Sequence, residues 1–290
     1  MSDTSYDEII KGGTVIDGTG TPGRLADIAI RDGKIVTIGK VDGDATIVTD
    51  ATGRMVMPGV VDVHTHYDAQ LLWDPGASPS ANHGVTTIIA GNCGFTLAPL
   101  RPTAAEAEYL QEMMSRVEGM PLPALRTIDW NWETFEQYLN QFENRISVNA
   151  GWMAGHCAIR RYVMGPESVG GEATPEQIEA MVAELRKAIE VGALGWSFTT
   201  SGSHSDGDGQ PVPSRWASTE EMLAMATEVG RHEGTSLEGI VPGCLDRFAD
   251  DEIELLATLS AAAKRVMNWN VLTIDSREPD RVGRQVEAFD

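Results

Sequence analysis

The chain has 290 residues, 42% hydrophobic and 22% charged, enough apolar mass for a sizeable globular core and too much for a disordered chain. Its 43 Asp and Glu against 22 Lys and Arg give a formal net charge of −21, which argues against nucleic acid and anionic membrane as partners, because both need a basic face. Cys93, Cys157 and Cys244 are too few for a disulfide framework and suit a reducing cytoplasm, while the polar, acidic N-terminus lacks the regions of a signal peptide and no apolar run reaches bilayer-spanning length.

Residues 6–56 show short apolar pieces (Ile9-Ile10, Thr14-Val15-Ile16, Ile28-Ala29-Ile30, Ile35 to Ile38, Ile47-Val48) separated by Asp17-Gly18, Asp32-Gly33 and Asp42-Gly43. Asp-Gly between apolar runs is a hairpin signal, so residues 1–56 are expected to form a small all-β module. From residue 57 the rhythm changes. Strand-like segments near 59–65, 84–91, 146–153, 193–199, 234–241 and 265–272 alternate with helical ones, as in βα units around a parallel sheet. The clearest helix spans 175–191, opened by the capping box Thr174-Pro175-Glu176-Gln177 and stopped at Gly192. Others are expected over about 219–231, opened by Ser218 and Glu221, over 251–264, and within 103–118 and 132–143. Six strands do not close an eight-stranded barrel, so either an open sheet or a barrel cut short before strands seven and eight is expected over 57–290.

The chemistry concentrates where the first strand of this second region ends. Val60-Val61-Asp62-Val63-His64-Thr65-His66 places two imidazoles at i and i+2, on one side of an extended segment. At the carboxyl end of a parallel barrel strand that is a catalytic position, and two neutral imidazoles are good ligands for a divalent metal such as zinc. The plainer reading, two ordinary polar residues at a strand end, is weighed by what lies next to them. Cys93, in Ala90-Gly91-Asn92-Cys93-Gly94, follows the adjacent strand and is either a third ligand or a small buried hydrophobe. Glu238, inside the fifth strand, is a carboxylate that is costly to bury unless paired or metal-bound, which makes it a further ligand candidate. His156 and Arg160, after the third strand, either hold a substrate carboxylate or belong to a solvated surface loop. Asp68 is expected to be a solvated loop carboxylate, with a supporting role to a ligand histidine as the alternative. In the Gly-, Ser- and Asp-rich segment 201–214, which resembles an active-site loop, His204 is expected to be solvated; His83 and His232 are expected to be structural.

The string Met57-Pro58-Gly59-Val60-Val61-Asp62-Val63-His64-Thr65-His66-Tyr67-Asp68, preceded by Ile9-Ile10-Lys11-Gly12-Gly13-Thr14-Val15-Ile16-Asp17-Gly18, resembles the opening of the amidohydrolase superfamily. His83-Gly84-Val85-Thr86-Thr87 and Gly91-Asn92-Cys93-Gly94-Phe95 resemble its N-acyl-D-amino-acid deacylase branch. The resemblance implies an α/β fold, a metal-dependent hydrolase-type (β/α)8 TIM barrel with part of a small N-terminal β-sandwich. It implies one or two zinc ions at His64, His66 and Cys93, and a small N-acylated amino acid or related amide as substrate. It also implies histidine ligands on strands five and six, where this chain has Glu238 and Asn268-Trp269-Asn270, and an acid–base aspartate on strand eight, which would lie beyond Asp290.

The expected activity is hydrolysis of a non-peptide carbon–nitrogen bond, with zinc lowering the pKa of a bound water to roughly 7. Without the aspartate the chain alone is expected to be slower by a factor of about 100 to 10,000. The rival expectation is a non-catalytic or split-barrel subunit that binds a ligand, self-associates, or takes its missing half from another chain. A third, a metal-free open α/β fold, is disfavoured by the His-x-His and Gly-Asn-Cys-Gly pair.

Overall fold

The computed structural model describes residues 5–272 and 274–288, and they divide into two compact units, 1–60 and 61–290. The polar residues 1–4, on which the reading of the N-terminus rests in part, lie outside the described residues.

The first unit is a five-stranded sheet of β1 (Tyr6–Val15), β2 (Arg24–Arg31), β3 (Lys34–Gly39), β4 (Ala45–Asp50) and β5 (Met55–Val56). The order is β3-β2-β1-β4, with β5 also paired to β1. Two of the three Asp-Gly signals act as expected. Asp17-Gly18 lies between the antiparallel strands β1 and β2, and Asp32-Gly33 turns β2 into β3 with both residues at positive φ, 52° and 69°. Asp42-Gly43 makes no hairpin. The chain leaves β3 there and returns beside β1 in parallel register, Glu8 opposite Ile47. Ile9, Ala29 and Val41 form the small core. Among the described residues the unit is one sheet, a single layer where a sandwich has two.

In the second unit the strands are β6 (Val60–Asp62), β7 (Val85–Ala90), β8 (Asn149–Trp152), β9 (Ala154–Gly155), β10 (Gly195–Thr199), β11 (Ser236–Ile240) and β12 (Met267–Trp269). They form two sheets, β6-β7-β8 and β12-β11-β10-β9. Only Met153 separates β8 from β9, and its N–H bonds Ala90 O at 2.9 Å while Leu194 N–H bonds Trp152 O at 2.8 Å. The single expected strand at 146–153 is thus two short pieces that hand the chain from one sheet to the other. β7 with β8, and β9, β10, β11 and β12 in turn, are parallel.

The connections supply the helices: one-turn α1 (Gln70–Trp73) and α2 (Ser78–Ala81), then α3 (Ala104–Glu118), short α4 (Leu122–Leu125) and α5 (Phe135–Leu139), then α6 (His156–Met164), α7 (Pro175–Glu190), α8 (Thr219–Val229), α9 (Asp250–Ala263) and α10 (Arg281–Glu287). The helix expected over 132–143 shrinks to the single turn of α5, and the expected loop at His156 is helix. α7 begins on the capping box read from the sequence, Thr174 accepting from Gln177 N–H while Gln177 reaches back to Thr174 N–H at 2.8 Å. The core packs α7 against β9, α8 against β10 and β11, and α9 against β12, with Met181, Leu185, Met222, Met225, Leu256 and Leu259 all at most 2% exposed. No described helix is long and apolar enough to cross a membrane.

Candidate metal centre

β6 ends earlier than the sequence suggests, at Asp62, yet the next residues stay beside β7 because Thr65 donates its N–H, and its hydroxyl, to Ile89 O at 2.9 Å. This keeps His64 and His66 on one side of the segment, with ring centroids 5.2 Å apart. Opposite them the chain turns sharply after β7. Gly91, Cys93 and Gly94 all adopt left-handed φ, 74°, 55° and 78°. A Cβ on Gly91 would meet Met153 O at 2.2 Å, so only glycine permits the turn to press onto β8 and β9.

The turn is clamped from β10 and β11. Ser197 Oγ accepts from Gly94 N–H at 3.0 Å and donates to Gly91 O; Glu238 Oε2 accepts from Cys93 N–H at 2.8 Å. Ser197 and Glu238 are register partners, so both leave their strands on the same face. Cys93 Sγ thereby comes to 3.4 Å from His64 Nε2, and one ligand atom from each of His64, His66 and Cys93 lies within 4.8 Å of the other two. Among the described residues this is the one cluster of at least three such side chains that could hold a metal ion. Glu238 stands outside that trio, in contact with the Cys93 backbone.

The electrostatics suit a cation. Burial pushes His66 down to about 3, helped by the nearby His64 and His204, and burial also lowers His64, so both imidazoles are neutral at pH 7. Burial raises the Cys93 thiol well above its ordinary value, with Glu238 and Glu118 adding to the effect and the Asn270 amide opposing it. Asn270 Nδ2 donates to Cys93 Sγ at 3.6 Å. Glu238 is 1% exposed and burial holds its carboxyl well above the usual range; among the described residues its Oε1 has no hydrogen-bond partner, and neither has Nδ1 of His66. Two neutral imidazoles, a thiol and buried, unpaired carboxylate oxygen match the donor preferences of zinc or a similar divalent ion.

Several expectations need correction. Asp68 is fully buried, not solvated: its Oδ2 accepts from Gly91 N–H at 3.2 Å, and burial raises its carboxyl to about 8. His204 is not solvated either. Its ring packs on Phe95 at 5.0 Å, Phe95 is 6.2 Å from His66, and its Nδ1 is 2.8 Å from Thr199 Oγ1. His156 and Arg160 form neither an open substrate loop nor a solvated one. Both are fully buried in α6, with His156 Nε2 2.8 Å from Glu221 Oε1, Arg160 paired to Glu221 Oε2, and Arg160 Nη2 donating to Gly171 O at 2.8 Å. His156 rests on Trp196, whose side chain leaves β10 on the face opposite Ser197, so this network lies behind the sheet from Cys93. His83 is exposed, and His232 caps its own helix turn by contact with Glu228 at 3.0 Å. Two residues had no place in the sequence reading: Asn270, and Glu118 at the end of α3, whose Oε2 is 3.4 Å from His66 Nε2.

A model of the amidohydrolase family matches residues 47–288. A D-aminoacylase of Alcaligenes xylosoxydans xylosoxydans is 35% identical over 233 residues, which is 79% of this chain and 43% of that protein. A solved D-aminoacylase, studied for the role of its binuclear metal centre, superposes with a TM-score of 0.70 at 31% identity, over 90% of this chain and 50% of that one. The N-acyl-D-glutamate deacylase of Bordetella bronchiseptica, solved with zinc and a phosphonate inhibitor, gives a TM-score of 0.70 at 25% identity, over 91% of this chain and 50% of its own. The chain thus spans about half the length of the relatives it matches.

Proposed function

Because this chain belongs to the amidohydrolase family, we propose that it carries the metal-binding part of a hydrolase that cleaves the amide bond of small N-acylated amino acids. The observation that carries this reading is the convergence of His64, His66 and Cys93 within 4.8 Å. His64, His66 and Cys93 would hold one zinc ion, and Glu238, its free oxygen buried beside Cys93, belongs to the centre as the carboxylate that gains a cation when metal arrives. Bound zinc would supply Lewis-acid polarisation of the scissile carbonyl and a water acidified to roughly pKa 7.

The chain's own residues do the positioning. Glu238 and Ser197 hold the Cys93 turn in place through its N–H groups, and Asn270 directs an N–H at the sulfur. Phe95 walls the side of His66, with the His204 ring packed behind it. Three free cysteines accord with a reducing, cytoplasmic setting.

The test is metal stoichiometry after mild chelator washing, on the chain and on a His64→Ala/His66→Ala variant, followed by assay of N-acetyl-D-amino acids. About one zinc per chain, lost in the variant, is expected; no metal in either protein overturns the reading. A second reading rests on exposed apolar residues at both sheet edges: Val60, Val61 and Val63 are 45%, 53% and 60% exposed, and Val266 is 90% exposed. Such edges favour pairing with further strands, in a split-barrel assembly or a second copy. Sedimentation velocity across a hundredfold concentration range, showing a single monomeric species throughout, would exclude self-association.

A further inference from the structure

Glu118 is the last residue of α3, and Gly119 follows it in the left-handed conformation, φ 65°. That is an unfavourable place for a carboxylate, because the carboxyl end of a helix is the negative end of its dipole. The side chain is also only 17% exposed. Among the described residues no Lys or Arg lies within 4.0 Å of it; its one contact of this kind is His66 Nε2 at 3.4 Å. A largely buried acid at a helix C-terminus without a cation is costly unless a cation binds there.

The geometry points to that cation. We propose that Glu118 is a fourth protein ligand of the metal held by His64, His66 and Cys93. In a tetrahedral zinc site with bonds of about 2.0–2.3 Å, neighbouring ligand atoms stand roughly 3.3–3.7 Å apart. Both contacts around the cluster have that spacing: Cys93 Sγ to His64 Nε2 is 3.4 Å, and Glu118 Oε2 to His66 Nε2 is 3.4 Å. Glu118 lies outside the trio that closes within 4.8 Å, so its side chain swings inward on binding, a change of torsion open to a partly exposed residue. Charge agrees as well. One thiolate and one carboxylate as direct ligands balance the two positive charges of a divalent ion.

This rests on the metal-binding reading above, and the experiment separates the two. Metal-free wild type, Glu118→Ala and Glu118→Gln are first matched by circular dichroism, then titrated with zinc against a chromophoric chelator and loaded with cobalt(II) for visible spectroscopy. Both variants are expected to bind zinc at least about tenfold more weakly, with altered cobalt ligand-field bands, and acetate is expected to restore part of the wild-type spectrum to Glu118→Ala. Should Glu118→Ala fail to fold, the near-isosteric Glu118→Gln decides. Unchanged affinity, or weaker binding with an unchanged cobalt spectrum, overturns the ligand assignment and leaves the three-residue site standing. Wild type that binds no metal overturns both.

Discussion

Glu238 and Cys93, 145 positions apart, meet through one hydrogen bond: the Cys93 N–H donates to Glu238 Oε2 at 2.8 Å. The bond fixes a cysteine in a left-handed turn, where its sulfur faces His64, and among the described residues it leaves the other carboxylate oxygen buried without a partner. Glu238→Gln keeps the acceptor and removes the buried ionisable carboxyl. The variant is expected to fold with equal or higher thermal stability, because an isolated buried carboxylate opposes folding. Its zinc affinity is expected to fall about tenfold or more, as supporting residues of metal sites typically show. Thermal unfolding without metal and chelator competition would show it; unchanged affinity would mean that the carboxylate does not sense the metal.

Metal binding should strengthen with pH through Cys93. The thiol is held well above its ordinary value, so it is protonated at neutral pH and must release its proton to become a ligand. His66, at about 3, and the lowered His64 have no proton to release there. Between pH 6 and 8 zinc affinity is therefore expected to rise by about tenfold per pH unit, or more where Glu118 also ionises. In Cys93→Ser the thiol's share of the slope disappears. A flat wild-type profile would exclude a thiolate ligand.

Asp68 should make the fold less stable as pH rises. Burial lifts its carboxyl from 3.8 to about 8. Below the lower value both folded and unfolded chains hold the proton; above it the unfolded chain releases the proton and the folded chain keeps it, so stability falls across the window between the two values. Asp68→Asn, which keeps an acceptor for Gly91 N–H, is expected to flatten this part of the profile and to gain roughly 2–5 kcal/mol near pH 8. Denaturant unfolding at pH 5 and pH 8 measures it; an equal slope in both proteins would place Asp68 as ionised in the fold.

The His156–Arg160–Glu221 network is a stability element behind the sheet. Burial favours the neutral form of Glu221, but His156 and Arg160 outweigh it and hold the carboxyl below its usual range. Arg160→Met leaves Glu221 buried with half its partners and is expected to cost about 3–5 kcal/mol. Zinc affinity at the His64 site is expected to stay within a factor of two or so, since no residue is shared. Weakened substrate binding with unaltered stability would instead favour the substrate role that the sequence leaves open for Arg160.

What the sequence determined by itself is local. Capping chemistry started α7 and α8, Asp32-Gly33 set a hairpin, and the period-two placement of His64 and His66 put two imidazoles on one side of an extended segment. The spacing of apolar runs marked six strand positions in the second unit, one of which is split into β8 and β9. Each of these depends on backbone geometry within a few residues. Glu118 carried a signal that could have been read, an acid at the end of a helix where the dipole disfavours it. The contents of the site depended on pairings across many tens of residues. Whether Asp68 and His204 met water or protein, which face of β10 His156 lay behind, and that Asn270 and Glu238 both reach Cys93 follow from strand order and from the turn at Gly91. Burial and partnership are properties of the packed chain, since a carboxylate or imidazole looks the same in sequence whether water or a neighbouring strand surrounds it.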